Sequence, residues 1–202
     1  MDTTTTLRRG RLRAAATAAA ILAGIGLGLS ACATPEGASE LSHRVANLTS
    51  LSDASTPTAD DGYVPLGRPV SIFDEDLPTI SKLDPALRAA VQDAATAAAA
   101  DDVEMFITSG WRSAAYQQVL LDDATRSYGS VEEARRWVNT PELSTHVTGD
   151  AVDIGPTDAD SWLSQHGADY GLCQIYANEM WHFELATEPG GTCPAQLPDS
   201  AG

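Results

Sequence analysis

Between residues 84 and 100 the apolar positions Leu87, Ala90, Val91, Ala94 and Ala98 recur at intervals of three and four, the spacing of one helix face. Residues 103–108 read as a strand. Residues 113–127 return to helical spacing and turn Tyr116, Val119 and Leu120 toward a core. Ser130 and Glu133 form a capping box that opens a short helix running to Val138. Residues 139–147, which include Pro141, read as a loop, and 151–154 as a short strand ended by Gly155-Pro156. Residues 157–166 predict a further helix, with Thr157 and Asp160 as a second capping box and Gly167 near its end. Residues 174–176 and 181–185 predict two more strands. In the last of these His182 and Glu184 share one face, and Trp181, Phe183 and Leu185 the other. The sum is an α+β domain of about 130 residues, with helices first and short strands around its later part.

The pattern fails at the N-terminus. Arg8, Arg9, Arg11 and Arg13 precede an apolar stretch, 14–29, that is too short and too interrupted by glycine for a membrane span. This is the layout of an export signal. It ends in Leu29-Ser30-Ala31-Cys32, which resembles the lipobox of bacterial lipoproteins, whose cysteine is acylated and becomes the first residue after cleavage. Residues 1–31 are therefore expected to be a lipoprotein signal peptide, with Cys32 the lipidation site that anchors the protein to the outer face of the cell membrane. An ordinary signal peptide cut near Ala31 or Ala33 is the alternative. Residues 32–62 are rich in Thr, Ser, Asp, Ala and Pro and hold few large apolar side chains, so they predict a flexible tether. His43 falls within it. The folded domain is expected over 63–202.

Of 202 residues, the balance of charge is −16, and the first 31 residues contribute +3 of it, so the remainder carries −19. A body that acidic repels phosphates, which excludes nucleic acid as a partner. Of three cysteines, Cys173 and Cys193 remain as a pair once Cys32 is lipidated. In an exported protein such a pair predicts a disulfide; free thiols, or a further metal ligand, are the alternatives. Nothing in the chain predicts a coiled coil or a large apolar interface, so a monomer is expected.

The chemistry concentrates in Ser144-Thr145-His146-Val147-Thr148-Gly149-Asp150-Ala151-Val152-Asp153 and Glu179-Met180-Trp181-His182. Two imidazoles and a carboxylate can hold a zinc ion with one position open. His146 approaches through Gly149, which has the conformational freedom to turn it toward Asp153. A carboxylate in a strand of apolar neighbours needs a partner, and a metal ion is one. A hydrogen-bonded His–Asp pair would explain those two alone. Glu179 and His182 add the rest: with a turn between them, Glu179 reaches a water activated at the metal and acts as general base. His166, the remaining histidine of the domain, reads as a helix end.

Ser109-Gly110-Trp111-Arg112-Ser113 with Gln117, then Ser144-x-His146-x-x-Gly149-x-Ala151-x-Asp153, then Glu179-x-Trp181-His182, resembles the VanY-type D-alanyl-D-alanine carboxypeptidases. These share a zinc metallopeptidase group with D,D-dipeptidases and the Hedgehog domain. The resemblance implies that group's fold, a small antiparallel sheet with flanking helices. It implies Zn2+ held by His146, Asp153 and His182, catalysis by Glu179 and Arg112, and substrate contacts from Gln117 and Ser144. It implies hydrolysis of the terminal D-Ala-D-Ala bond of peptidoglycan stem peptides, with release of D-alanine outside the membrane. A D,D-dipeptidase or a peptidoglycan endopeptidase would use the same zinc site, and a zinc-stabilised binding module would use it without turnover.

Overall fold

The computed structural model describes residues 56–202. The expected signal peptide, Cys32 and most of the expected tether lie outside the described residues. Within them no helix is long and apolar enough to cross a membrane. Ordered structure begins ahead of Tyr63. A 3-10 turn, Ala59–Asp61, is fixed to the domain by Asp61, whose carboxylate accepts from the Ser113 hydroxyl at 2.9 Å and whose carbonyl accepts from the Ser113 N–H at 2.9 Å. This polar segment joins the fold through hydrogen bonds rather than apolar burial, so composition gave no sign of it.

A one-turn helix α1 (Pro78–Ser81) leads into α2 (Pro85–Ala100). Asp84 caps α2 by accepting from the N–H groups of Ala86 and Leu87 at 2.8 and 3.1 Å, and Pro85 occupies the first helical position, where its missing N–H costs nothing. Leu87, Val91, Ala94 and Ala98 are buried, as the spacing predicts. The chain then reverses through Asp102, at φ 60°, and β1 covers Phe106–Ser109, starting later than 103 because its pairing with the next strand begins only at Phe106, opposite Gly155.

Helix α3 (Ala114–Tyr128) is capped by Ser113 and closed by Gly129. It buries Gln117, Leu121 and Ala124 rather than Tyr116, Val119 and Leu120. The shift by one position arises because α3 packs on α4 (Val131–Ala134) and not on the sheet. Leu121 and Ala124 form a small separate cluster with Ala134 and Val138. Tyr116 meets Tyr63 edge-on, with ring centroids 5.8 Å apart. Ser130 caps α4 as expected, but the helix ends at Ala134 and only a turn continues to Val138.

The expected loop before the second strand contains one helical turn, α5 (Thr145–Thr148), followed by β2 (Ala151–Gly155). Helix α6 (Thr157–His166) starts from Pro156, so Thr157 is already inside the first turn and the expected Thr157–Asp160 capping box does not form. β3 (Leu172–Gln174) and β4 (His182–Leu185) complete a four-stranded sheet in the order β1-β2-β4-β3, antiparallel throughout. Tyr176, expected in a strand, instead makes an isolated parallel bridge with Leu197.

Strand alternation gives the sheet two unlike faces. Ile107, Val152, Ile154, Leu172 and Phe183 point to one side, where α2 and α6 cover them with Leu87, Val91, Ala94 and Leu163. Burying a side chain of this size stabilises by about 1.5–3 kcal/mol. Asp153, His182 and Glu184 point to the other side. The greasy face thus fixes the register that sets the polar face. Cys173 on β3 is bonded to Cys193, with Cα atoms 5.6 Å apart.

Candidate metal centre and active site

Register places Asp153 of β2 directly opposite His182 of β4. His146 comes from α5, whose turn closes at Gly149 in the left-handed conformation, φ 85°. A Cβ on Gly149 would lie 2.5 Å from the Lys82 carbonyl oxygen, so both backbone conformation and space require glycine there. His146 O accepts from the Arg112 N–H at 3.1 Å, which ties α5 to the segment after β1.

Three donor atoms converge. His146 Nε2 lies 3.3 Å from His182 Nδ1, and each lies 3.3 Å from Asp153 Oδ1. A tetrahedral zinc ion with ligand bonds of about 2.0–2.1 Å requires ligand-to-ligand edges of about 3.3–3.4 Å. The outer nitrogens explain the ring orientations. His146 Nδ1 donates to the Gly110 carbonyl at 2.8 Å, and His182 Nε2 donates to Glu184 Oε1 at 2.9 Å. Both inner nitrogens are thereby left as lone pairs facing a carboxylate oxygen, three acceptors without a donor. A cation satisfies all three, so the donor set fits a zinc ion.

The electrostatics agree. Burial works against ionising Asp153, but His146, His182 and Arg112 around it hold its carboxyl well below the usual range. Burial, then Arg112, depress His146. Burial opposes a proton on His182 too, yet its bonds to Asp153 and Glu184 prevail and push it up to about 9. In the absence of metal, a proton on His182 Nδ1 takes the place of the cation.

Glu179 stands beside this triangle. His182 N–H donates to the Glu179 carbonyl at 3.2 Å, closing the turn that brings the two side chains to one side. Glu179 Oε2 is 4.0 Å from His182 Nδ1, while Oε1 is buried without a partner among the described residues. Burial raises its pKa to about 7, the range suited to a general base at neutral pH.

Arg112 donates to Asp153 Oδ2 at 2.7 Å, to Ser109 Oγ at 2.7 Å and to Gln117 Oε1 at 3.1 Å. Its first partner is therefore the candidate ligand Asp153, and two of the five guanidinium N–H donors remain free of partners among the described residues. Gln117 is fully buried and is also engaged through Nε2 with the Asn139 carbonyl at 2.9 Å. The Ser144 hydroxyl, at the start of α5, caps nothing and borders the cavity. The cavity holds about 190 Å³, and among the described residues Arg112 is the only arginine or lysine that lines it. Its apolar rim comes from Trp137, Leu143 and Trp181. Trp181 was expected to share the face of Phe183, but β4 begins only at His182, and Trp181 turns to the cavity instead. His166 ends α6 and packs on Trp162, with ring centroids 4.7 Å apart, as the helix-end reading predicts.

The structure adds residues that the motifs do not contain. Glu184 orients His182 and is itself held by the Thr145 hydroxyl at 2.9 Å; its place two residues along the same strand face was a legible signal. Tyr176 brings its ring centroid to 5.0 Å from that of His182, and burial, Glu184 and Glu179 push its phenol up to about 12, so it stays a donor. Ser200 lines the cavity from a distant segment with no sequence signal.

The model of the family VanY, D-alanyl-D-alanine carboxypeptidase, matches residues 80–189, which include every one of the converging groups just described except Ser200. The chain belongs to the VanY family. The D-alanyl-D-alanine carboxypeptidase of Enterococcus faecalis (strain ATCC 700802 / V583) is 29% identical over 139 residues, covering 55% of this chain and 52% of that protein. The chain thus spans about half the length of this curated VanY relative. Among solved structures, a point mutant of the vancomycin-resistance D,D-pentapeptidase VanY in complex with Zn(II) is 27% identical, with a TM-score of 0.48 over 50% of this chain and 71% of that one. The LdcB LD-carboxypeptidase is 19% identical, with a TM-score of 0.49 over 67% and 72%.

Proposed function

We propose that this chain is a zinc-dependent D,D-carboxypeptidase that removes the terminal D-alanine from peptidoglycan stem peptides ending in D-Ala-D-Ala. The observation that carries the reading is the 3.3 Å triangle of His146 Nε2, Asp153 Oδ1 and His182 Nδ1 with the unpartnered Glu179 Oε1 beside it. VanY family membership supplies the substrate class. His146, Asp153 and His182 would hold the zinc ion, which would supply a Lewis acid for water and the scissile carbonyl. Glu179 takes the proton of the attacking water and returns it to the amine of the departing D-alanine. Arg112 orients Asp153 and turns its free N–H donors toward the charge that grows on the carbonyl oxygen or toward the substrate carboxylate. Gln117 acts on the substrate through Arg112, and Ser144 offers its hydroxyl directly.

The lining also bears on which bond is cut. A dipeptidase must seat a free ammonium group, which needs a spare carboxylate. Among the described residues the carboxylates lining the cavity are Asp153 and Glu179, one assigned to the metal site and the other to proton transfer. A carboxypeptidase needs a cation instead, and Arg112 provides it.

Export by residues 1–31, a lipid on Cys32 and a tether over the residues that follow, expected as 32–62, complete the reading. In this reading the enzyme is a monomer held on the outer face of the cell membrane, within reach of the cell wall. Cys32→Ser should move the protein from the membrane fraction to the medium. The decisive test of activity is D-alanine release from a peptide ending in D-Ala-D-Ala by the zinc-loaded protein, with Glu179→Ala as control. Release abolished in the control supports the reading. No release from that peptide, with turnover of free D-Ala-D-Ala or of cross-linked muropeptides, overturns it in favour of a dipeptidase or an endopeptidase.

A further inference from the structure

One residue lining the cavity, Ser200, lies beyond the family match, which ends at 189. Cys193 is tied to β3 by its disulfide, and the chain that follows it is bonded on two sides. On one side it pairs with the loop that leads to Glu179: Leu197 N–H donates to Ile175 O at 2.9 Å, and Ala177 N–H donates to Leu197 O at 2.9 Å. On the other side it is bonded to the segment after α4. Arg136 Nε donates to Asp199 Oδ2 at 2.7 Å, Asn139 Nδ2 donates to Ser200 O at 2.8 Å, and Ser200 Oγ donates to Arg135 O at 2.8 Å. Asp199 is only 8% exposed, although it carries a charge on a chain segment with no regular structure. The segment therefore bridges the two walls of the cleft, and Ser200 lines the cavity between them.

We propose that residues 193–201 form a strap that fixes the width of the substrate cleft, with Ser200 a substrate-contacting residue and Asp199 its positioning residue. Ser200 Oγ donates to the Arg135 carbonyl at 2.8 Å and also stands close enough to Glu179 to lower its pKa, so it sits beside the candidate base with lone pairs left to accept from the cavity. That makes it an acceptor for an N–H, and a peptide backbone held in extended form supplies such donors along its length. Asn139 cannot substitute for it. Its carbonyl takes Gln117 Nε2, its Oδ1 takes Arg135 Nε at 3.3 Å and the Thr140 N–H at 2.9 Å, and its Nδ2 holds the strap. The strap thus gives this chain a specificity element that the matched region alone does not carry.

This inference rests on the carboxypeptidase reading, and its test separates the two. Ser200→Ala, Asp199→Ala and Gln196→Ala are assayed beside the unaltered zinc-loaded protein for D-alanine release, with KM and kcat resolved. Gln196 is exposed on the outer side of the strap and serves as control. Ser200→Ala should raise KM roughly three- to tenfold, the worth of one neutral hydrogen bond, with little change in kcat. Asp199→Ala should raise it at least as much, and Gln196→Ala should leave it unchanged. If the unaltered protein is active and Ser200→Ala keeps its KM, the strap proposal is overturned, whether or not Asp199→Ala folds. Equal losses from Ser200→Ala and Gln196→Ala also overturn it, because a general loosening would then explain both. An inactive unaltered protein overturns the carboxypeptidase reading itself and the strap with it.

Discussion

At the scale of single residues, the site is organised around protons that must leave. His182 is held up to about 9 by Asp153 and Glu184, so at neutral pH its Nδ1 carries a proton in the metal-free protein. Zinc binds only the bare nitrogen. Metal uptake should therefore release close to one proton from His182 at pH 7.5, and zinc affinity should fall as pH falls. Titration calorimetry in buffers of different ionisation enthalpy reads that proton directly, and a release near zero would contradict the assignment of Nδ1 as ligand. Glu179 carries the second signature. Burial raises it to about 7, and the base must be ionised to act. kcat/KM should therefore decline as pH drops through an apparent pKa at or below about 7, since a nearby metal cation can only favour the carboxylate. Glu179→Gln should lower kcat by a factor of about 10²–10⁴ and leave metal content intact.

The residue types and spacing of His146, Asp153, Glu179 and His182 were legible because zinc chemistry needs those groups in that count. What the chain could not tell was the commitment of Arg112. Its charge pointed to the substrate, whereas it pairs with Asp153, and only the fold reveals that Ser109 and Gln117 hold the guanidinium in place.

At the scale of elements, strand pairing does the positioning. β2 and β4 put Asp153 opposite His182, and the two-residue period of β4 puts Glu184 on the same face to hold the outer nitrogen of His182. Glu184→Ala should leave all three donor atoms present but free the His182 ring. Zinc affinity should drop by about 10–100-fold, as competition against a chelating dye would show. Unchanged affinity would mean that packing against Tyr176 alone orients the ring. The helices were legible where periodicity was strong, as in α2. They were misread where a polar side chain takes a buried position. Gln117 occupies the inward face of α3 because Arg112 and Asn139 satisfy its amide, and that rotated the expected face by one residue. The turn α5 escaped notice because four residues ending in Gly149 carry too short a pattern to register as helix.

At the scale of the whole molecule, stability is shared between a covalent tie and a metal. β3 is a three-residue edge strand paired on one side only, by β4. The Cys173–Cys193 bond, across a sequence separation of 20, joins that edge to the segment returning over the cleft. Closing a loop of this length stabilises by about 3 kcal/mol in the chain-entropy picture. Replacing both cysteines with alanine should lower the unfolding free energy by about that amount, read from guanidinium unfolding with midpoint and slope both fitted, since the uncrosslinked unfolded chain is more expanded. Zinc also stabilises, since it binds the folded state: an excess of one hundred times its Kd adds about 2.7 kcal/mol. The two contributions meet in different parts of the molecule, one at the sheet edge and one between β2, β4 and α5, and should add. The double cysteine variant saturated with zinc should therefore unfold near the midpoint of the metal-free disulfide form, and adding a chelator to that variant should lower its midpoint again. A midpoint that ignores zinc in both backgrounds would mean that the His146, Asp153 and His182 triangle does not hold the ion.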